Sequence, residues 1–101
     1  MKKRFVIIIE VSTKEQNDAF LAWIKAEKLG WWHWFQNTWL LSNPAGSLRA
    51  SGIRDKLREC FGTANTLVLE LKNGEDTWAG FGPKTDDKDM FKWLRKNWSK
   101  D

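Results

Sequence analysis

The spacing of hydrophobic positions changes several times along the chain, and each change predicts a different element. Phe5-Val6-Ile7-Ile8-Ile9-Glu10-Val11 is an apolar, largely β-branched run, the pattern of a central strand covered on both faces. Ser12-Thr13-Lys14-Glu15 has the spacing of a capping box and predicts a helix to about residue 29. Phe20, Trp23, Ile24 and Ala26 form its apolar stripe, with Lys14, Lys25 and Lys28 on the solvent side and Gly30 as the closing residue. Two aromatic runs, 31–35 and 38–42, flank Gln36-Asn37 and read as a tight hairpin, since Asn tolerates positive φ. A two-residue loop pairs Phe35 with Thr38, Trp34 with Trp39 and Trp32 with Leu41. Alternation then places Trp32, Trp34, Trp39 and Leu41 on one side, and Trp31, His33, Phe35 and Leu40 on the other.

Asn43-Pro44-Ala45-Gly46 marks a loop. Ser47 is the expected cap of a second helix that ends near Gly62, with Ala50, Ile53, Leu57, Cys60 and Phe61 as its stripe. Residues 66–71 alternate as a last main strand, Leu67, Leu69 and Leu71 on one face and Val68 on the other. The order strand, helix, strand, strand, helix, strand predicts an α+β, ferredoxin-like βαββαβ domain, an antiparallel sheet with two helices on one face. A turn at Asn73-Gly74, a short extended segment at 76–81 and a helix at 88–98, capped by Thr85-Asp86-Asp87, complete the reading. That helix carries Met90, Phe91, Leu94 and Trp98. The expected organisation is a ferredoxin-like domain over 1–82 and a C-terminal helix over 83–101 packed on it.

Two helices on one face leave the other face of the sheet open. The covered face is expected to take Phe5, Ile7, Ile9, Val11, Trp39, Leu41, Leu67, Leu69 and Leu71. The open face is expected to show Val6, Ile8, His33, Phe35, Leu40 and Val68. Such an apolar patch calls for a partner. An RNA-binding sheet carries aromatics on its central strands, whereas Val6, Ile8 and Leu40 are aliphatic. A homodimer with Val6, Ile8, Phe35, Leu40 and Val68 in its interface is therefore expected.

Composition narrows the class without naming a reaction. The 101 residues suffice for one domain, 42% hydrophobic and 30% charged, which is globular. The formal net charge of +4 permits a polyanionic partner without requiring one. Cys60 is the sole cysteine, so a disulfide within the chain and a cysteine metal cage are excluded, and a reducing, cytoplasmic setting is expected. The apolar run after Lys2-Lys3-Arg4 stops at Glu10, too short for a signal or a membrane span. No membrane partner is expected. Eight tryptophans and no tyrosine make stacking or burial of indole rings the dominant local chemistry.

Several side chains are candidates for function. Arg54 and Arg58 lie one turn apart on the second helix with Arg49 before them, and guanidinium forks suit phosphate. Asp55 and Glu59 partly neutralise that face, so a merely solvated surface is the competing reading. Lys2 and Lys3 form a second basic cluster. Trp31 and Trp78 are the expected exposed rings and could stack on bases, with His33 in a minor stacking role or simply packed. Asp86, Asp87 and Asp89 sit where acidic residues complement a helix dipole, which explains them without a metal.

Phe5-Val6-Ile7-Ile8-Ile9-Glu10-Val11-Ser12 is similar to the first strand of the CRISPR-associated adaptation-protein family. Trp32-His33, Thr38-Trp39-Leu40-Leu41, Ile53-Arg54-Asp55-Lys56-Leu57 and Trp78-Ala79-Gly80-Phe81 resemble a group labelled SinR-like, placed beside those proteins and the VapD toxins. The resemblance covers residues 5–81. It implies a ferredoxin-like homodimer in which the segment around 78–81 crosses to the partner's sheet. In nuclease members the acidic residue ending the first strand holds a metal ion jointly with its counterpart, and the matching position is Glu10. Glu replaces the usual Asp, and Ile9 replaces an aromatic. Related members act as scaffolds for duplex DNA.

Three functions follow as expectations. The first is a homodimer binding nucleic acid or a nucleotide without catalysis and without a cofactor. The second is a protein-interaction module, antitoxin-like or a phage counter-defence factor. The third is a Mg2+-dependent endonuclease with paired Glu10 as catalytic and metal-binding residue.

Overall fold

The apolar run near the start of the chain forms β1 (Lys3–Ile9). It lies between β3 (Thr38–Asn43) and β4 (Thr66–Leu71), antiparallel to both. The computed structural model describes residues 2–71, 84–85 and 88–98. β2 (Gly30–Phe35) completes a four-stranded antiparallel sheet in the order β2-β3-β1-β4. Helix α1 (Lys14–Ala26) joins β1 to β2, and α2 (Ala50–Phe61) joins β3 to β4. Beyond β4, β5 (Lys84–Thr85) and β6 (Lys88–Asp89) form a small ladder, then α3 (Met90–Trp93) runs into a π-helical turn, Leu94–Trp98. The architecture is α+β. Among the described residues, no helix is long and apolar enough to cross a membrane.

Both long helices close on one face of this sheet. Phe5, Ile7 and Ile9 of β1 and Trp39 and Leu41 of β3 pack with Phe20 and Ile24 of α1 and Ile53, Leu57 and Phe61 of α2. Phe20 sits at the centre, edge-on to Trp39 at 5.1 Å and to Phe61 at 5.6 Å, and stacked on Trp23 at 5.7 Å. Edge-to-face and offset rings place positive ring edges against negative ring faces, which adds orientation to burial.

The caps fall close to expectation, displaced slightly. Thr13, not Ser12, opens α1: its hydroxyl accepts from Gln16 N at 3.2 Å while Gln16 Oε1 accepts from Thr13 N at 2.9 Å. Ser12 instead accepts from Asn17 Nδ2. α1 stops at Ala26, Lys28 takes the positive φ of 58°, and Gly30 starts β2. A Cβ at Gly30 would collide with the Ser42 hydroxyl and come within 3.8 Å of the Trp93 ring. Ser47 is not the α2 cap; that place belongs to Arg49, which makes no side-chain capping bond. The loop before it is held by Asn43, whose Oδ1 accepts from Leu48 N at 2.8 Å. Gly62, at φ 63°, closes α2 as expected.

Three register findings correct the expected faces. β4 is inverted: Val68 pairs with Ile7 and packs against the helix-side core, while Leu67, Leu69 and Leu71 share a face with Ile8, Val6 and Arg4. Leu67 is 51% exposed and Leu69 45%. Val11 lies past the end of β1 and is 64% exposed rather than buried. In the hairpin, Phe35 pairs with Thr38 as expected, but the register shifts between Trp32 and Phe35, so Trp32 faces Leu40 and Trp31 faces Leu41. Two residues, His33 and Trp34, stand opposite the one residue Trp39. This is a bulge, which adds a residue to one strand and reverses side-chain parity beyond it. Trp32 and Phe35 therefore meet on the face away from the helices, rings 5.0 Å apart. Trp31 and His33 pack on Trp39 from the helix side.

The final segment covers part of the second face. Leu94 and Trp98 are buried, and Arg4, itself buried, donates Nη1 to Trp98 O at 3.3 Å with its guanidinium 5.7 Å from the Trp98 ring centroid. The expected turn at Asn73-Gly74, the segment 76–81 with Trp78, and the Asp86-Asp87 part of the last cap lie outside the described residues.

Candidate functional site

The bulge has a consequence for the outer edge of the sheet. β2 pairs with β3 on one side and is an edge strand on the other. Along it runs an open, mainly apolar groove of about 590 Å³, lined by Leu29, Gly30, Trp31, Trp32, His33, Trp34 and Trp93. Trp93 is brought to Gly30 by α3 from the far end of the sequence. Trp31 is exposed, and Trp34, His33 and Trp93 are half-buried, so rings of both polarities face a space open to solvent. Trp32 forms a buried wall; its Nε1, like that of Trp39, has no hydrogen-bond partner among the described residues. An unmet buried donor carries a desolvation penalty of about 1–3 kcal/mol.

His33 is held firmly. Its ring stacks on Trp39, centroids 3.8 Å apart and planes 7° apart. Nδ1 lies 3.0 Å from Thr38 O. A carbonyl can only accept, so Nδ1 carries the proton and the neutral ring keeps Nε2 as an acceptor. Burial holds the imidazole below its ordinary pKa of 6.5, partly opposed by the Thr38 carbonyl. His33 is thus a neutral ring at pH 7.

Cations gather at one end of the sheet. Gly30, Ser42, Arg4 and Leu71 stand in one row, and Lys3 pairs with Asn43 in the next. Lys3 Nζ donates to Leu48 O at 2.8 Å, which brings the Arg49 loop to the same end. Lys2 precedes this row, Lys28 immediately precedes the groove, and Lys92, Arg95 and Lys96 flank Trp93 on the closing segment. Residues 28–43 and 90–98 contain no carboxylate, with Glu27 and Asp89 directly outside them. Lys28 and Lys92, Arg95 and Lys96 thus lie next in sequence to residues that line the groove.

The opposite end is polar and carries Glu10. Glu10 N donates to Asn65 O at 2.9 Å, and Glu10 Oε1 accepts from Asn65 Nδ2 at 2.9 Å, a clasp that ties β1 to the turn before β4. Two shallow clefts of about 550 and 400 Å³ meet at Glu10, Val11 and Ser12, one reaching Lys14, Asn17, Gln36 and Asn37, the other Phe61, Thr63 and Ala64. Among the described residues, no group of three or more His, Cys, Asp and Glu side chains converges as a metal-ligand set. Among the described residues, Glu10 is the one acidic side chain lining either cleft.

The sequence-derived candidates are thus separated rather than assembled. Trp31 and His33 reach the groove, while Trp78 lies outside the described residues. Lys2, Lys3 and Arg49 belong to the basic end. Arg54 and Arg58 lie on the exposed face of α2, where Arg54 is bridged to Asp55 at 3.0 Å. Of the residues expected on the open face, Val6, Ile8, Phe35 and Leu40 lie there, and Val68 and His33 do not. Trp34 and Trp93 line the groove and were missed by sequence reasoning. The parity shared with Leu41 placed Trp34 in the core, and the bulge breaks that parity; the contribution of Trp93 depends on a contact across some sixty residues of chain and had no signal. Comparisons with protein-family models, curated proteins and solved structures find no match to this chain.

Proposed function

We propose that this protein is a small cytoplasmic homodimer that binds nucleic acid or a nucleotide without catalysis. The observation that carries this reading is the aromatic groove along the β2 edge, whose lining residues lie next in sequence to Lys28 and to Lys92, Arg95 and Lys96. Aromatic rings stack on bases, and Lys and Arg neutralise phosphates. Lys2, Lys3 and Arg49 extend the basic surface from the end of the sheet. A ferredoxin-like fold is supported by the element order and the β2-β3-β1-β4 sheet. The resemblance of motifs within 5–81 to the SinR-like and CRISPR adaptation-type proteins motivates the same reading. Dimerisation is supported by Ile8, Leu67, Leu69 and Leu71, which stay exposed on the sheet face that the closing segment covers only in part.

The test is a titration of tryptophan fluorescence with DNA, RNA and mononucleotides at low and moderate salt. Binding that weakens steeply with salt is expected. Unchanged fluorescence and anisotropy with all three classes at low salt would remove the proposal.

A further inference from the structure

From the shape of the groove, we infer that its ligand is a single-stranded nucleic acid, read through unstacked bases, rather than a duplex. This rests on the nucleic-acid reading above and goes beyond it by choosing the strand state. In a duplex both faces of every internal base are already occupied by its neighbours, so only grooves and phosphates remain accessible. Phosphate contacts use cations, polar side chains and backbone N–H groups and make no use of the faces of indole rings. Here the chemistry is the reverse. Trp31 and Trp34 sit one on each side of His33 in the sequence of a single edge strand, and Trp93 approaches the same space from another element.

Trp31, Trp34 and Trp93 all line this open groove, and stacking of bases on indole rings is tolerant of base identity. His33 adds a directional group: with Nδ1 committed to Thr38 O, its remaining acceptor suits an amino or imino donor of an unpaired base. The imino donors are consumed by Watson–Crick pairing in a duplex. The flanking Lys28 and the Lys92, Arg95 and Lys96 segment supply charge for a backbone passing along the β2 edge.

The decisive experiment compares a fluorescein-labelled oligothymidylate of about 12 nucleotides with its duplex, by anisotropy in low salt, using the full chain. Single strand is expected to bind at least tenfold more tightly. Trp34→Ala should weaken single-strand binding about tenfold or more, while the melting temperature confirms folding. Lys96→Glu, an exposed change, should lower affinity for the single strand and flatten its salt dependence. Equal or tighter binding of the duplex overturns the inference and leaves the nucleic-acid reading standing. Loss of affinity on Lys96→Glu with none on Trp34→Ala or Trp31→Ala also overturns it, because phosphates alone would then be recognised. No binding of either form removes both.

Discussion

The two faces of the sheet are built from similar residues and behave differently. On the helix side, Phe5, Ile7, Trp39 and Leu41 meet Phe20, Ile53 and Leu57 and lose essentially all contact with water. On the other side, Arg4, Trp32, Leu94 and Trp98 are sealed at one end, while Ile8, Leu67 and Leu69 remain wet. Hydrophobicity alone does not tell them apart. Coverage does: α1 and α2 are long amphipathic helices with continuous stripes, whereas α3 and its π-helical turn span nine residues and reach one end only.

If that contrast is right, truncations should differ sharply in effect. Trp39→Ala, at the centre of the sealed face, should cost about 3–5 kcal/mol in denaturant unfolding, enough to unfold most of a domain this size. Arg4→Ala, on the half-sealed face, removes the bond to Trp98 O and the guanidinium over its ring. A loss of about 1–3 kcal/mol is expected, with increased proteolysis of the closing segment.

Acid should reveal a smaller coupling through His33. Its folded pKa lies below 6.5, so below that pH the unfolded chain takes up a proton more readily than the folded one. Stability is therefore level above pH 6.5, falls as the pH drops from there toward the folded value, and levels again beneath it. Thermal melts of His33→Phe should lose that slope, and a retained slope would assign it elsewhere. Leu69→Lys should matter least to unfolding, within about 0.5 kcal/mol. Sedimentation should nevertheless show a lower mass than wild type, and an unchanged dimer would move the interface away from this patch.

The helices were readable because a stripe spaced three and four residues apart has one way to face a core, as Ile53, Leu57 and Phe61 do. The antiparallel sheet of four main strands also followed from the run of elements. β4 misled because Leu67, Leu69 and Leu71 form the more apolar face, yet Thr66, Val68 and Glu70 face the helix side. Its phase is set at entry, where Phe61 is anchored in the core and Asn65 clasps Glu10 on both backbone and side chain. A short connection with both ends held leaves no freedom to rotate the strand. The capping box slipped by one because Ser12 with Glu15 and Thr13 with Gln16 both satisfy the same spacing. The bulge was invisible because Phe35 opposite Thr38 is common to the regular and the bulged hairpin. The groove could not be seen without it, since a regular ladder sends Trp31 and Trp32 to the opposite sides.

Trp34 is, on this geometry, supernumerary. With His33 already against Trp39, excising residue 34 altogether would let Phe35 meet Thr38, His33 meet Trp39 and Trp32 meet Leu40 in an unbroken ladder. The shortened chain should fold at least as well as the parent while losing one indole from the edge. Subtracting an aromatic side chain together with its own backbone separates what the hairpin requires from what it carries.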